Sequence, residues 1–215
     1  SASADNKDSS SAAQEEGTLS PSRGSSTFTD NSDSSMDNVL NQVQSLLPTD
    51  NGTWSVYVCN LAKNTEGTIN DQQMQAASLI KLYIMGAVYE NYDQITGQYG
   101  RDSVDSNLYS MITVSDNDAA NTLTTYLGGG DSAAGMQAVN SFCQAHGYDQ
   151  THMGRMLLAS NENDDNYTSV GDCGHLLQEI YKQDTSGYTH ATDMFNLLKA
   201  QTRCNKIPAQ LPEGV

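Results

Sequence analysis

Ser78 and Lys81 stand three residues apart in Ala76-Ala77-Ser78-Leu79-Ile80-Lys81, ahead of apolar positions Leu82, Met85, Val88 and Tyr89 that recur at helical spacing. Residues three apart share one face of an α-helix, so the Ser78 hydroxyl and the Lys81 amine can meet. A serine hydroxyl is a weak nucleophile until a base takes its proton. A lysine can be that base once burial or nearby positive charge destabilises its ammonium. Bringing a lysine from about 10.4 to about 7–8 takes roughly 4 kcal/mol of differential interaction. The positive end of a helix starting at Ser78 pushes that way and also favours an alkoxide there. Alone the pair is a weak signal, because a chain this rich in serine contains the spacing by chance about once.

A second group, Ser115-Asp116-Asn117, follows Met111-Ile112 and opens the segment Asp118-Ala119-Ala120-Asn121-Thr122-Leu123. Ser115 as N-cap, with acidic residues in the first turn, is what any helix start favours, so capping accounts for half of this pattern. It does not account for the order. The two groups begin two helices whose starts can flank one cleft.

The elements that would position them are mostly helical. Met36, Val39, Leu40, Val43, Leu46 and Leu47 recur at intervals of three and four behind Ser35, a possible cap, and Pro48 stops the run. Residues 54–58 alternate large apolar and small side chains, turn chemistry occupies 64–67, and 67–70 can return as a second strand. Helices are expected over 78–91, 103–112, 116–127, 131–146, 170–183 and 191–202. Two strands make too small a sheet to stand alone. The fold class expected is therefore α+β, an α/β sandwich in which a helical region packs on an antiparallel sheet whose further strands are not in this chain.

Composition narrows the partners. The 215 residues suit one domain with a real core. Asp and Glu number 26 against 10 Lys and Arg, a formal charge of −16, which repels phosphate backbones and gives an anionic membrane nothing to hold. No apolar run approaches the roughly 18 residues of a membrane span. Residues 1–34 are dominated by Ser, Asp, Asn, Gly and Thr and bury too little to offset their ordering entropy; they read as a disordered tether of the kind left when an export signal or lipid anchor is removed, ahead of a domain over 35–215. A secreted or extracytoplasmic location, with that tether reaching a membrane, follows from this reading. Cys59, Cys143, Cys173 and Cys204 show no C-x-x-C pair and no His at ligand spacing, so no metal and no cofactor are expected. Either Cys173 pairs with Cys204 or all four are free thiols.

Taken together, Ser78-Leu79-Ile80-Lys81 with Gly86-Ala87-Val88, and Met111-Ile112-Thr113-Val114-Ser115-Asp116-Asn117 with Ala119-Ala120-Asn121, resemble the class A β-lactamases and, more widely, the penicillin-binding proteins in text and order. The segment 201–215 is similar to the one that leads into the strand bearing Lys-Thr-Gly, and the likeness spans about 36–215. It implies Ser78 as nucleophile, Lys81 as its base directly or through water, Ser115 as proton relay to the leaving nitrogen, and Asn117 as a partner of the substrate amide and of Lys81. The Ser78 backbone N–H would be half of an oxyanion hole. Asp116 would anchor the turn.

Three departures from the family stand out. The interval from Lys81 to Ser115 is short. The region 154–168, where the family's Ω-loop falls, lacks Glu-x-x-Leu-Asn; Glu162 is its only glutamate and reads as solvated loop, while Arg155 is placed to pair with an acid across it. The sequence reaches Val215 before any Lys-Thr-Gly, so the remaining strands were cut away, come as a separate chain, or belong to a longer product. Three functions stay open: an acyltransferase acting on D-Ala-D-Ala-type peptides of peptidoglycan and trapped by small-molecule β-lactams, a true β-lactamase with an unrecognised deacylating base, and a non-catalytic wall-associated domain that retains the fold.

Overall fold

A computed structural model describes residues 32–212. The expected tether therefore lies outside the described residues up to residue 31, and its last residue, Ser34, begins a helix. Asp33, in extended conformation, is the N-cap of α1 (Ser34–Leu46) and accepts a 2.8 Å hydrogen bond from the Met36 amide. A carboxylate at the positive end of the helix displaces Ser35 from the capping role expected of it. Buried Met36 and its neighbour Leu40 lie over Gly67.

The hairpin forms two residues later in its first strand than expected and two earlier in its second. Strands β1 (Val56–Asn60) and β2 (Thr65–Ile69) pair antiparallel, with Val56 opposite Ile69 and Asn60 opposite Thr65. The turn sets this register: Asn60 Oδ1 accepts from the amides of Ala62 and Lys63, and Asn64 adopts φ 52°. A second antiparallel pair, β3 (Met74–Gln75) with β4 (Tyr167–Thr168), was not expected from the sequence. It fixes the chain just before Ser78, and the Ala76 amide adds a 2.7 Å bond to the Asn166 carbonyl.

The centre of the molecule is α2 (Ile80–Glu90). Apolar on all sides, it is buried from Ile80 to Tyr89 except at Leu82, as a helix surrounded by others must be. Around it stand α3 (Tyr92–Tyr99), α4 (Arg101–Thr113), α5 (Asn117–Leu127), α6 (Ser132–Ala145), α7 (Val170–Tyr181) and α8 (Ala191–Lys199). Helix α3 was not expected, and Ile95 is its one buried residue. A Cβ at Gly86 would lie 2.4 Å from the Phe142 ring, so the glycine is what lets α6 approach α2.

All four cysteines are free, which removes the Cys173–Cys204 pairing. Cys173 is buried with its sulfur 3.4 Å from the Tyr83 hydroxyl, whereas Cys204 is exposed beside Gln201.

Candidate active site

Ser78 lies in the single 3-10 turn Ala77–Leu79 that precedes α2, after Ala77 in left-handed conformation at φ 46°. The sequence placed Ser78 in the first α-helical turn; here the α-helix begins at Ile80, and Ser78 stands exposed above it. Lys81 is in that helix and only 3% exposed. Its stem descends beside Ser78 while its amine faces the loop between α4 and α5.

That loop departs from the capping arrangement expected. Asp116, not Ser115, caps α5, its side chain accepting from the Ala119 amide at 2.8 Å. Ser115 is thereby held at φ 61°, a conformation non-glycine residues seldom adopt and one that surrounding contacts must maintain. The consequence is that both oxygens of Ser115 face one nitrogen: Lys81 Nζ is 2.7 Å from its carbonyl and 2.9 Å from its Oγ. Asn117 Oδ1 lies 2.8 Å from Nζ and Ser78 Oγ 3.3 Å from it, while Ser115 Oγ is 3.1 Å from Ser78 Oγ. All four residues named from the sequence thus meet at one point.

Counting donors and acceptors shows what this cage can do. The Ser115 carbonyl and Asn117 Oδ1 cannot donate, so each must receive an N–H from Lys81. A neutral amine has two N–H groups and one lone pair. With the N–H groups committed to those two acceptors, the lone pair is left for a hydroxyl, Ser78 or Ser115. Burial lowers the Lys81 pKa most; the Asp116 carboxylate opposes that, and the positive charge of Arg203 assists it. The neutral amine is thereby favoured relative to that of an exposed lysine.

Sequence reasoning did not single out Thr202 and Arg203. The Thr202 amide and hydroxyl both donate to the Thr113 carbonyl, at 3.0 and 3.1 Å, and Arg203 Nη2 donates to the Val114 carbonyl at 3.0 Å. They brace the turn that carries Ser115. The cleft above the site, ≈ 470 Å³, is walled by Leu82, Met111, Ile112 and Leu198 as well as by Ser78 and Ser115. Among the described residues no three His, Cys, Asp or Glu side chains converge as a metal site requires.

The loop after α6 is closed at its neck. Arg155 Nε meets Asp165 Oδ1 at 2.6 Å, with the Asp165 side chain 9% exposed, so the pair is less solvated than a surface ion pair. Bonds from the Asn166 amide, ahead of the Arg155 contact, hold the Asp165 carboxyl below the usual range. Asn166 Oδ1 accepts from the amides of Gly154 and Arg155, and Gln75 Nε2 reaches Asp165 Oδ2 at 3.0 Å, tying the loop to the strand before Ser78. Glu162 is exposed.

The model of the β-lactamase enzyme family matches residues 38–99 and 97–215. The chain belongs to that family. It is a β-lactamase-like serine hydrolase of α+β fold. Among solved structures, the β-lactamase class A of the last common ancestor of Gram-negative bacteria is similar, at 20% identity and TM-score 0.64, over 84% of this chain and 76% of that one. The β-lactamases from Desulfarculus baarsii (17% identity, TM-score 0.63, 84% and 74% covered) and Sphaerobacter thermophilus (20%, 0.59, 74% and 68%) share the fold too. No curated protein sequence matches the chain. In this member of the family, Ser78, Ser115 and Asn117 gather at Lys81.

Proposed function

We propose that this family member forms an acyl-enzyme through Ser78 with β-lactams or with D-Ala-D-Ala-type peptides. The observation that carries the reading is the cage around Lys81 Nζ, in which two obligate acceptors leave the amine lone pair for a hydroxyl. Neutral Lys81 takes the Ser78 proton, directly or through Ser115, as Ser78 Oγ bonds to the carbonyl carbon. The tetrahedral intermediate collapses with cleavage of the C–N bond. Ser115 gives its proton to the leaving nitrogen and is reprotonated by the Lys81 ammonium, so no proton is gained or lost overall. Asn117, placed beside Lys81, is the candidate partner of the substrate amide.

The second half of the reaction, attack by water, needs another base, and a positioned one is typically worth about 10²–10⁴ in rate. The loop carboxylates are otherwise engaged: Asp165 with Arg155, and Asp164 with His152 at 2.6 Å, while Glu162 is in solvent. A persistent acyl-enzyme is therefore the expected product, which favours the acyltransferase over the β-lactamase. Such substrates lie outside the cytoplasm, and fractionation of cells expressing the protein should find it there.

Intact-mass measurement after incubation with a penicillin tests the chemistry. The expected result is a gain of one whole penicillin, since ring opening loses no atoms, mapped to Ser78, absent in Ser78→Ala and lasting many minutes. Rapid multiple turnover would establish the β-lactamase reading, and absence of any adduct would leave a binding domain.

A further inference from the structure

A second cleft, ≈ 570 Å³, opens between the C-terminal end of α2, α4 and α8. Its volume is in the ~300–1,000 Å³ range of small-molecule sites. Ser78 precedes the N-terminus of α2 and Tyr89 stands near its C-terminus, about 15 Å along the axis at 1.5 Å per residue. The two clefts are separate.

Three rings form its floor. Tyr89 stacks on Tyr92 with centroids 5.5 Å apart and planes 21° apart, and on His190 at 5.2 Å and 28°. The Arg101 guanidinium sits 5.8 Å from the Tyr92 centroid. Tyr109, 54% exposed, adds a ring at the rim.

One oxygen of each carboxylate is engaged from within. The Tyr92 hydroxyl donates to Asp105 Oδ1 at 2.6 Å, and His190 Nδ1 lies 2.9 Å from Asp193 Oδ2. Each carboxylate keeps a second oxygen, and among the described residues neither Asp105 Oδ2 nor Asp193 Oδ1 is hydrogen-bonded. The side-chain amide of Asn196 and the guanidinium N–H groups of Arg101 are likewise without hydrogen bonds among the described residues. An anionic ligand would meet two carboxylates. A cationic one would be repelled by the Arg101 guanidinium, which lies over Tyr92. What fits is a neutral ring with an apolar C–H face for the exposed Tyr109 ring and hydroxyls around its edge for the free acceptors and donors.

We propose that this cleft binds a neutral saccharide, its ring against the exposed Tyr109 and its hydroxyls bonded to Asp105, Asp193, Asn196 and Arg101. The test is NMR titration of the ¹⁵N-labelled full chain with N-acetylglucosamine and, separately, maltose, at up to tens of millimolar. Saturable shifts should appear at Tyr92, Arg101, Asp105, His190 and Asp193, with a dissociation constant in the millimolar range. Asp193→Ala should weaken binding about tenfold and Asn196→Ala by a smaller factor, as loss of a charged and a neutral hydrogen bond predicts. Both positions are exposed, so both variants should fold, and Ser78 acylation should be unchanged in each. Absence of shifts with either sugar overturns the proposal. So do shifts centred on Ser78 and Ser115, or choline binding at the cleft more tightly than both sugars.

Discussion

Two charges of opposite sign act on Lys81 from outside its cage: the Asp116 carboxylate stabilises its ammonium and the Arg203 guanidinium opposes it, while burial outweighs both. Asp116→Asn keeps a side chain able to cap α5 but removes the stabilising charge, so the Lys81 pKa should fall further. Arg203→Ala should raise it. Since the neutral amine is the base, acylation climbs with pH through this pKa. The rising limb should therefore move to lower pH in the first variant and to higher pH in the second. Penicillin adduct formation followed against pH checks it, and shifts in the same direction would show that Lys81 is not the group being titrated. The identities of Ser78, Lys81, Ser115 and Asn117 were legible because each lies in a short local pattern. The left-handed backbone of Ser115 was not. It depends on the Asp116 cap and on Thr202 and Arg203, which arrive from 89 residues away in sequence.

At the scale of elements, Gly86 sets how close α2 and α6 can lie. A methyl group there would meet Phe142 ring carbons at 2.4 and 2.8 Å in a packed interior, a clash that should cost about 1–3 kcal/mol, against a gain of up to about 1 kcal/mol from alanine's helix propensity. Gly86→Ala should lower the urea midpoint, and Phe142→Leu in that background should recover part of the loss by vacating the ring volume. A Gly86→Ala protein more stable than the parent would mean that α6 yields easily. Helix α2 could be read from sequence because its apolar residues are dense and its partners need not be known. Helix α3 could not, with Ile95 alone buried and no apolar stripe to see. Strands β3 and β4 have two residues each and stand about ninety residues apart, so no local periodicity announces them. Their pairing nevertheless fixes the chain before Ser78.

For the whole molecule, the pH dependence of stability separates a buried acid from the general surplus of negative charge. Asp172 is fully buried; its Oδ2 accepts from the Gln150 amide and the Thr151 hydroxyl, and its Oδ1 has no hydrogen-bond partner among the described residues. Burial raises its pKa from 3.8 to about 6, the hydrogen bonds to Thr151 and Gln150 opposing this and the carboxylates of Asp71 and Asp149 adding to it. The folded state thus holds this proton more tightly than the unfolded chain. The stability it contributes is complete below about pH 4, declines as pH rises, and is gone above about pH 6, a change of roughly 3 kcal/mol at 1.36 kcal/mol per unit. The formal charge of −16 also disfavours the compact state as carboxylates ionise, in the same pH range. Salt distinguishes the two, because it screens exposed charges and barely reaches a buried one. Urea unfolding at pH 5 and pH 8, in low and high salt, should show a loss of stability towards pH 8 that salt only partly restores. Asp172→Asn, which keeps an acceptor for Gln150 and Thr151 but cannot ionise, should remove the remainder. If high salt abolishes the whole difference in the parent protein, surface repulsion alone governs it and Asp172 titrates as an ordinary acid.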